Sequence, residues 1–513
     1  MKLPAISFVL PDWRVFRSLS THPLRWFVLW AVIGAVQQLG LTLNTDVAWL
    51  FELSKRVLAG ADTYAQAGFE TNPPMMIYLG LLPAWLHSVL GLSAQWSLQL
   101  FITIVSAGML LLSARVLRGV AALPDGAQNM FFIGLGYIFL VLPGSMMAQR
   151  EHFILLFSLP YALVVFAFLE GAETPRWLRC IAGLFAGIAL CIKPPFALVL
   201  LGLAGWVLYR KQLKPWFFRL ENVTVVVAVT AFIAWVITQE RFFIETVYPL
   251  LSQVYTQGRS DDWFDTNLAR GVFMVMPMFG YFLAKQLSGG KATPENNLLL
   301  LCVLLMLAFY LVAAVQPLSF TYHAIPFFSF TALVLFISSV RTRHLFLIAG
   351  LSFHLYYFIN SWNLDSFKKD NPYTQNQAFK TLFDTLPKGS TYYSLTLNPF
   401  TPMPQPGTTQ LENVNYLGGL WHRGMSLNPE RYAAEFAYLD NVAAEDIIRT
   451  KPDYLVVDEA EYKHTAPETG VYKIFELYFS LPTLAPLKPC FERINEVKQG
   501  EQVYGLYKNT CPR

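Results

Sequence analysis

Two polar stretches near the start of the chain, Asn44-Thr45-Asp46 and Phe69-Glu70-Thr71-Asn72-Pro73-Pro74, interrupt a sequence that is otherwise strongly apolar. The first follows a long apolar run and precedes a segment whose apolar residues have helical spacing. The Pro-Pro pair cannot lie inside a helix, but it suits the first turn of the apolar helix that we predict at Met75–Leu90. Simple membrane anchoring does not require an acid directly after a span, followed by a flat apolar helix.

The composition is that of a polytopic membrane protein. Of 513 residues, 54% are hydrophobic and only 14% are charged, an apolar excess that soluble enzymes do not have. The formal charge of +4 is too small to suggest nucleic acid as a partner. A helix needs about 20 apolar residues to cross a bilayer. We predict about eleven such spans, at 24–43, 95–116, 130–147, 153–169, 177–192, 195–209, 221–238, 268–286, 297–315, 324–340 and 345–359.

Residues 74–92 are the ambiguous segment. If they cross the membrane, Arg115 and Arg118 lie outside; if they lie flat in the interface, these arginines face the cytoplasm. Positive-inside bias favours the flat helix, because the other basic loops then face the cytoplasm as well. Those loops contain Arg176 and Arg179, Arg210 to Arg219, Lys285 and Lys291, and Arg341 and Arg343. We therefore predict a cytoplasmic N-terminus, with the first apolar run retained as a signal anchor, and an external first loop at 44–94.

The same topology places everything after about Asn360 outside. We predict a transmembrane domain at 1–359 and a small external α/β domain at 360–513, because helical and strand patterns alternate there. The predicted helices are Asn376–Leu386 and Ala443–Thr450, and the predicted strands are Ser390–Leu397 and Lys451–Asp458. Cys490 and Cys511 both fall in this region, so an external location makes a disulfide between them plausible. The other cysteines lie in apolar spans as small hydrophobic residues.

Asp46 is the first candidate for chemistry. A carboxylate held rigidly at the membrane surface could act as a general base. An alternative interpretation is that Asp46 only caps the helix that follows, which is a common use of Asp. Glu70 is a second candidate, and its alternative is a solvated acid in a loop.

Further candidates lie where other predicted spans reach the external surface. Gln149-Arg150-Glu151-His152 packs charges tightly at a span boundary, which is costly unless they are paired or used. Arg150 could hold a phosphate, or it could form an ion pair with Glu151 that closes a turn. Lys193 could contact a phosphate or extend to the interface. Tyr322 and His323 could bind a phosphate or a sugar hydroxyl, although a single His is usually structural.

Arg259–Asp265 contains acids and a Trp, a composition that suits sugar stacking but also any hydrated loop. The sequence contains no GxSxG, Walker, HExxH or CxxC motif.

These residues resemble the GT-C superfamily of membrane glycosyltransferases, which includes the protein O-mannosyltransferases and the lipid A aminoarabinose transferase. Asp46 matches the acid that the family carries in its first external loop, and Asn72-Pro73-Pro74 with Tyr78 resembles the entry to its second juxtamembrane helix. Gln149–His152, Ile192–Pro195 and Tyr322-His323 resemble further segments of bacterial members. Many members have a second acid directly beside the first, whereas Thr45 and Val47 flank Asp46; a divalent metal is therefore not supported.

The resemblance implies a sugar donor on a polyprenyl phosphate and an inverting transfer on the external face of a bacterial inner membrane. Asp46 would accept the proton of the acceptor hydroxyl. Arg150, Lys193 and His323 would stabilise the departing lipid phosphate, with His152, Tyr322 and Glu70 as further contacts to phosphate or sugar. The sugar stays open, and so does the acceptor, which is a glycan, a lipid or a protein.

Two other functions compete with sugar transfer. One is a transporter or flippase for a lipid-linked glycan, and the other is a polymerase or ligase of surface polysaccharide. Transporters often contain internal repeats and broken helices at mid-membrane. In this chain the polar residues gather at the external face instead, and a sizeable polar region follows them, which favours transfer.

Overall fold

A computed structural model describes residues 23–39, 41, 43–254, 293–316, 321–338, 376–396, 411–420, 431–459, 473–499 and 502–512, with the isolated positions 278, 281, 282, 285 and 422. Its α-helices are α1 (Pro23–Leu39), α2 (Thr45–Leu58), α3 (Met75–Leu90), α4 (Ala94–Leu117), α5 (Asp125–Leu140), α6 (Arg150–Leu169), α7 (Arg176–Ile192), α8 (Ala197–Tyr209), α9 (Leu213–Phe217), α10 (Leu220–Gln239), α11 (Tyr248–Val254), α12 (Pro294–Val315), α13 (Ile325–Ser338), α14 (Asn376–Asp384), α15 (Ala433–Thr450) and α16 (Ile474–Tyr478).

The helices follow the apolar segments of the sequence. Each predicted span coincides with a helix, except 345–359 and most of 268–286, which lie outside the described residues. The predicted span 130–147 is too long, because α5 ends at Leu140 and a turn with Pro143 leads into a 3-10 helix at Gly144–Met146. Among the described helices, α4, α6, α10 and α12 are long and apolar enough to cross a membrane. This is the architecture of a polytopic α-helical membrane protein.

The central helix of the bundle is α6, whose side chains are buried on all faces and which packs against α4 and α7. By contrast, α10 lies at the periphery and buries few residues, as expected for a helix that faces lipid. Gly183 on α7 lets α10 approach closely, since a Cβ at this position would lie 2.3 Å from the carbonyl oxygen of Glu221.

Polar contacts define one end of the bundle. Gln95 Nε2 donates to the carbonyl oxygens of Gln38 (2.6 Å) and Leu41 (2.9 Å), so α4 begins beside the end of α1. The first loop (residues 44–94) therefore leaves and re-enters the bundle at the same end. Within it, α3 lies along α2, where Ser54 Oγ donates to the carbonyl oxygen of Ile77 at 2.9 Å.

The opposite end of the bundle is rich in arginine. Arg179 Nε and Arg219 Nε donate to the fully buried carboxylate of Glu221, at 2.6 and 2.5 Å. Arg210 Nη2 donates to the carbonyl oxygen of Leu169, the last residue of α6, at 3.3 Å. Because the carboxylate of Glu221 has two cationic partners, its burial is compensated.

The C-terminal part of the chain forms a five-stranded mixed sheet in the order β2-β1-β3-β5-β4. This C-terminal sheet consists of β1 (Thr391–Leu395), β2 (Glu412–Asn413), β3 (Tyr454–Asp458), β4 (Phe491–Gln499) and β5 (Gln502–Asn509). β1 is parallel to β2 and β3, whereas β5 is antiparallel to both β3 and β4. β3 is buried along its whole length, as its continuous apolar run predicts.

The structure agrees with the predicted helices and strands of this region, apart from their ends. α14 and α15 cover the predicted helices, although α15 begins ten residues earlier than predicted, at Ala433 rather than Ala443. β1 and β3 lie within the two predicted strands and are shorter than predicted. The β4–β5 hairpin was not predicted, because its polar, charged residues leave β4 largely exposed and give it no buried run. The boundary predicted near residue 360 lies outside the described residues.

Cys490 and Cys511 form a disulfide with a Cα–Cα distance of 5.0 Å. It ties the start of β4 to the chain just after β5. Replacing Cys490 by Ser is expected to cost about 3 kcal/mol of stability, because the bond closes a loop of 21 residues and restricts the unfolded chain. Thermal unfolding of the purified protein, with and without reductant, measures this. Reductant should lower the Tm of the wild type and leave the Tm of the Cys490→Ser variant unchanged; equal responses would contradict the prediction.

Candidate active site

Asp46 is the second residue of α2, at the end of the bundle where the first loop begins. The helix is capped by Asn44, whose side-chain oxygen accepts from the backbone N–H of Asp46 at 2.9 Å. The interpretation of Asp46 as the cap itself is therefore wrong. Its side chain is 26% exposed, so the carboxylate is held at a helix N-terminus and remains accessible.

Arg150, the first residue of α6, contacts two acids of the first loop, Asp46 and Glu70. Its Nη2 lies 3.2 Å from Asp46 Oδ2, and its Nη1 lies 3.9 Å from Glu70 Oε1. Just before it, Gln149 Nε2 donates to Asn44 Oδ1 at 2.6 Å. These contacts fix the start of α6 against the start of α2. The turn leading into α6 is strained, because Ala148 has a φ of 64° in the left-handed region.

Glu70 is buried, and its own loop orients it. Its Oε1 accepts from the backbone N–H and the side-chain Nδ2 of Asn72, at 2.9 and 2.6 Å. The preceding residue, Phe69, forms a parallel bridge to Leu417, and its N–H donates to the carbonyl oxygen of Tyr416 at 2.8 Å. The segment after β2 thus fixes the backbone that presents Glu70 to Arg150.

Lys193 lies between α7 and α8 and makes three polar contacts. Its Nζ donates to Glu151 Oε1 at 2.7 Å, to Gln316 Oε1 at 2.5 Å and to His323 Nε2 at 3.1 Å. An ammonium group has only donors, so Nε2 of His323 is the acceptor in this contact. Burial lowers the pKa of Lys193, while the neighbouring carboxylate of Glu151 opposes this shift.

Tyr322 joins the two groups of charges. The guanidinium of Arg150 and the ammonium of Lys193 each lie 5.9 Å from the centre of its ring, within the range of a cation–π interaction. The structure therefore brings together six of the predicted residues in one cluster, which we call the charged cluster. With Glu151 added, it consists of Asp46, Glu70, Arg150, Glu151, Lys193, Tyr322 and His323.

His152 is the predicted residue that the structure does not bring to the charged cluster. Its ring is fully buried, its Nδ1 accepts from the N–H of Ala148 at 3.2 Å, and its Nε2 lies 2.9 Å from the carbonyl oxygen of Phe139. Both ring nitrogens are therefore used by the backbone. A role in binding substrate is not supported, because one helical step turns the side chain of His152 into the bundle.

Several buried polar atoms in and beside the charged cluster have no hydrogen-bond partner within the described part of the chain. They are Thr45 Oγ1, Gln149 Oε1, Arg150 Nε and Glu151 Oε2. Buried polar atoms are normally paired, so a concentration of unpaired ones indicates a place that a ligand or water completes.

A small apolar pocket of about 20 Å³ lies beside Asp46. Side chains from α2, α3, α4 and α6 line it, among them Val47, Phe51, Leu79 and Phe101, together with Ala148 of the strained turn. Val47 directly follows Asp46 and Ala148 lies two residues before Arg150, so the pocket adjoins the ion pair. Such a pocket accepts hydrocarbon rather than a polar group.

Sequence reasoning missed Glu151 and Gln316 as members of the site. Glu151 belongs to the Gln149–His152 segment, but the sequence suggested only an ion pair with its neighbour Arg150. The structure instead pairs Glu151 with Lys193, on the following helix hairpin. Gln316 carries no motif, and only the end of α12 brings it to Lys193. The loop 259–265 lies outside the described residues. Within the ranges that the structure covers, no group of three or more His, Cys, Asp and Glu side chains could hold a metal ion.

Arg56, near the end of α2, fastens the first loop to the C-terminal sheet. Its Nη1 donates to the carbonyl oxygens of Ala67 and Asn415, and its Nη2 to that of Asn413, each at 2.7 Å. Hydrogen bonds from a charged donor are strong. The helix that carries Asp46 is therefore held at both ends, by α6 and by the edge of the sheet.

Replacing Arg56 by Ala is expected to cost about 2–4 kcal/mol of stability, because three carbonyl groups lose a charged donor. The C-terminal sheet should then be released faster in limited proteolysis, and the Tm should fall. Lys55→Ala is the matched control, since Lys55 is adjacent, exposed and paired only with Glu52 among the described contacts, a surface pair of little value. Equal proteolysis of the two variants would contradict the role of Arg56.

The fold of this chain is similar to that of solved membrane proteins. Neither protein-family models nor the sequences of characterised proteins match this chain. Among solved structures, ArnT from Cupriavidus metallidurans bound to undecaprenyl phosphate is similar, with a TM-score of 0.57 and 12% identity, over 94% of this chain and 97% of that one. The apo state of the same ArnT gives a TM-score of 0.51 and 11% identity, over 94% and 98%. The chain therefore has the fold of ArnT.

Proposed function

We propose that this protein is a membrane glycosyltransferase that moves a sugar from a polyprenyl-phosphate donor to an acceptor hydroxyl, with inversion at the anomeric carbon. The observation that carries the proposal is the Asp46–Arg150 ion pair, 3.2 Å long, beside an apolar pocket. It joins the three groups that this reaction needs at one place, namely a carboxylate for the acceptor proton, a cation for the phosphate and an apolar surface for the lipid.

Asp46 is the proposed general base. In the structure its carboxylate is held by Arg150, so the base and the phosphate-binding cation neutralise each other before substrate arrives. When a donor phosphate takes over the guanidinium, the carboxylate is released to accept the proton of the acceptor hydroxyl. The hydroxyl oxygen then attacks the anomeric carbon, and the bond from that carbon to the phosphate oxygen breaks.

The cations of the charged cluster are the proposed ligands of the departing phosphate. Arg150 has the suitable geometry, because its planar fork matches two phosphate oxygens and its Nε has no partner among the described residues. Lys193, which also lies 5.9 Å from the centre of the Tyr322 ring, and His323 supply a further cation and a ring nitrogen. Glu70 orients Arg150, and Tyr322 offers an aromatic face to the sugar.

The apolar pocket supports a lipid-borne donor. It adjoins the ion pair and is lined by hydrocarbon side chains of α2, α3, α4 and α6. ArnT, which has the same fold, binds undecaprenyl phosphate. We propose that the first isoprene units of the carrier lie against this apolar surface, which leaves the phosphate beside Arg150.

The proposed location is a bacterial inner membrane, with the N-terminus in the cytoplasm and the charged cluster outside. Two observations support this orientation. The arginine-rich end of the bundle, with Arg179 and Arg219, is opposite the charged cluster, as the positive-inside rule requires. The C-terminal sheet lies at the same end as the cluster and contains a disulfide, which persists in an oxidising compartment.

The decisive test is transfer from purified polyprenyl-phosphate sugars. The protein in detergent or nanodiscs is incubated with a panel of such donors and with membrane lipids, glycans and envelope proteins as acceptors, and mass spectrometry follows the acceptors. The expected result is an acceptor heavier by one sugar, the free lipid phosphate as second product, and an inverted anomeric configuration by NMR.

The rival functions give different results in the same experiment. A flippase moves the lipid-linked glycan across a proteoliposome membrane without breaking the sugar–phosphate bond. A polymerase or ligase adds a glycan chain rather than one sugar. Translocation without release of lipid phosphate, or products with many sugars, would contradict the proposal.

A further inference from the structure

Lys193 has no free hydrogen-bond donor in this structure. An ammonium group carries three N–H bonds, and the Nζ of Lys193 has three acceptors, in Glu151, Gln316 and His323, at 2.7, 2.5 and 3.1 Å. An incoming phosphate must displace one of these acceptors before it can bind Lys193. The Nε of Arg150, in contrast, has no hydrogen-bond partner among the described residues.

Glu151 differs from the other two acceptors because it is charged. Its side chain is fully buried, and only one of its two oxygens has a partner among the described residues. The charged cluster contains three acids, Asp46, Glu70 and Glu151, and two bases other than histidine, Arg150 and Lys193, so the formal charge of these five residues is −1. An anion entering this cluster meets a buried carboxylate that competes directly for Lys193.

In the proposed reaction, competition between Glu151 and the phosphate for Lys193 would help the product to leave. The donor is a phosphodiester and carries one negative charge, whereas the product that remains is a phosphomonoester and carries up to two. Two uncompensated cations would bind the product more tightly than the donor and retain it after transfer. A fixed carboxylate on one of the cations reduces this difference, because it repels the dianion more strongly than the monoanion.

We propose that Glu151 sets the affinity of the site for the anionic lipid carrier, by neutralising Lys193 so that the lipid-phosphate product is released. This inference rests on the proposed function. Glu151 acts through Lys193 and does not contact the reacting atoms. The Glu151 carboxylate therefore controls the affinity for the lipid phosphate. Removing it should strengthen binding of the carrier and slow turnover.

Replacing Glu151 by Gln tests this, because the amide keeps a hydrogen-bond acceptor for Lys193 and removes the charge. With undecaprenyl phosphate in detergent micelles as the probe, Kd should fall about tenfold relative to the wild type. Product inhibition by the same lipid should strengthen by a similar factor. Steady-state kcat should fall, while the single-turnover rate of sugar transfer should not, since only product release is slower.

Gln316→Glu is the opposite change, because it adds a second carboxylate beside Lys193 at nearly constant shape. It should weaken undecaprenyl phosphate binding about tenfold, and it decides the question if Glu151→Gln does not fold. Glu240→Gln is the matched control with unchanged affinity, because Glu240 is also a buried carboxylate, and an amide can still accept from Thr63 and Tyr78.

Unchanged or weaker binding by Glu151→Gln overturns the inference, as does unchanged binding by Gln316→Glu. These outcomes leave the proposed function intact as long as the wild type binds the lipid phosphate and transfers sugar. A wild type that neither binds undecaprenyl phosphate nor releases it from a donor refutes the proposed function itself.

Discussion

Asp46→Asn should reduce sugar transfer about a thousandfold, the middle of the range that a general base contributes. The amide has nearly the same shape and still accepts a hydrogen bond from Arg150, but it cannot take the proton of the acceptor hydroxyl. Because the change is in the chemical step, kcat should fall. The affinity for undecaprenyl phosphate should not fall, since the amide competes less than the carboxylate for Arg150. Single-turnover transfer and lipid-phosphate binding measure the two quantities separately.

Asp62→Asn is the matched control for this variant. Asp62 lies in the same loop and caps the short π-helix at Thr63–Ala67, where its Oδ1 accepts from the N–H groups of Tyr64 and Ala65 at 3.2 and 2.8 Å. Asn serves equally well as such a cap, so activity should be retained. If folded Asp46→Asn protein transfers sugar at the wild-type rate, Asp46 is not the base.

Arg150→Lys is the second large effect, with an expected hundredfold loss of kcat/KM, or about 2.7 kcal/mol of transition-state stabilisation. Lysine keeps the charge, but it cannot bridge Asp46 and Glu70 while it also contacts two phosphate oxygens, because it has no planar fork. The affinity for undecaprenyl phosphate should fall as well. This combination distinguishes Arg150 from Asp46, whose replacement should lower turnover without weakening lipid-phosphate binding.

Arg210→Lys makes the same substitution at the other end of the bundle, where Arg210 donates to one carbonyl oxygen at 3.3 Å. It should leave both transfer and binding near the wild-type values. Full activity of Arg150→Lys would show that a point charge is sufficient and that bidentate binding of the phosphate is not part of the mechanism.

The membrane architecture could be predicted from local sequence because it depends on local composition. The apolar runs that form α1, α4, α6 and α12 are visible as such, since a bilayer requires a continuous apolar segment regardless of what lies beside it. The ends of helices were less certain. α5 ends seven residues before the predicted end at 147, because the Pro143 turn and the 3-10 helix after it are apolar too.

The candidate site was predictable in part. Asp46, Glu70, Arg150, Lys193, Tyr322 and His323 stand out as polar residues at the ends of apolar runs, and such positions are costly unless they are used. His152 has the same signal and proved to be structural, because its neighbours in sequence do not show which way a helical side chain points. Glu151 has that signal too, and its pairing with Lys193 could not be derived from either segment.

Hydrophobic periodicity and span length are properties of short stretches of chain. The amino-acid sequence was therefore enough to predict a helical membrane protein whose polar residues gather where apolar segments end. Only the tertiary structure decided which of those residues meet. Arg150 contacts Asp46 across 104 positions and Lys193 contacts His323 across 130, and the packing of α2, α6, α7 and α13 sets these distances. Contacts between segments so far apart depend on how whole helices pack, and no local pattern contains that information.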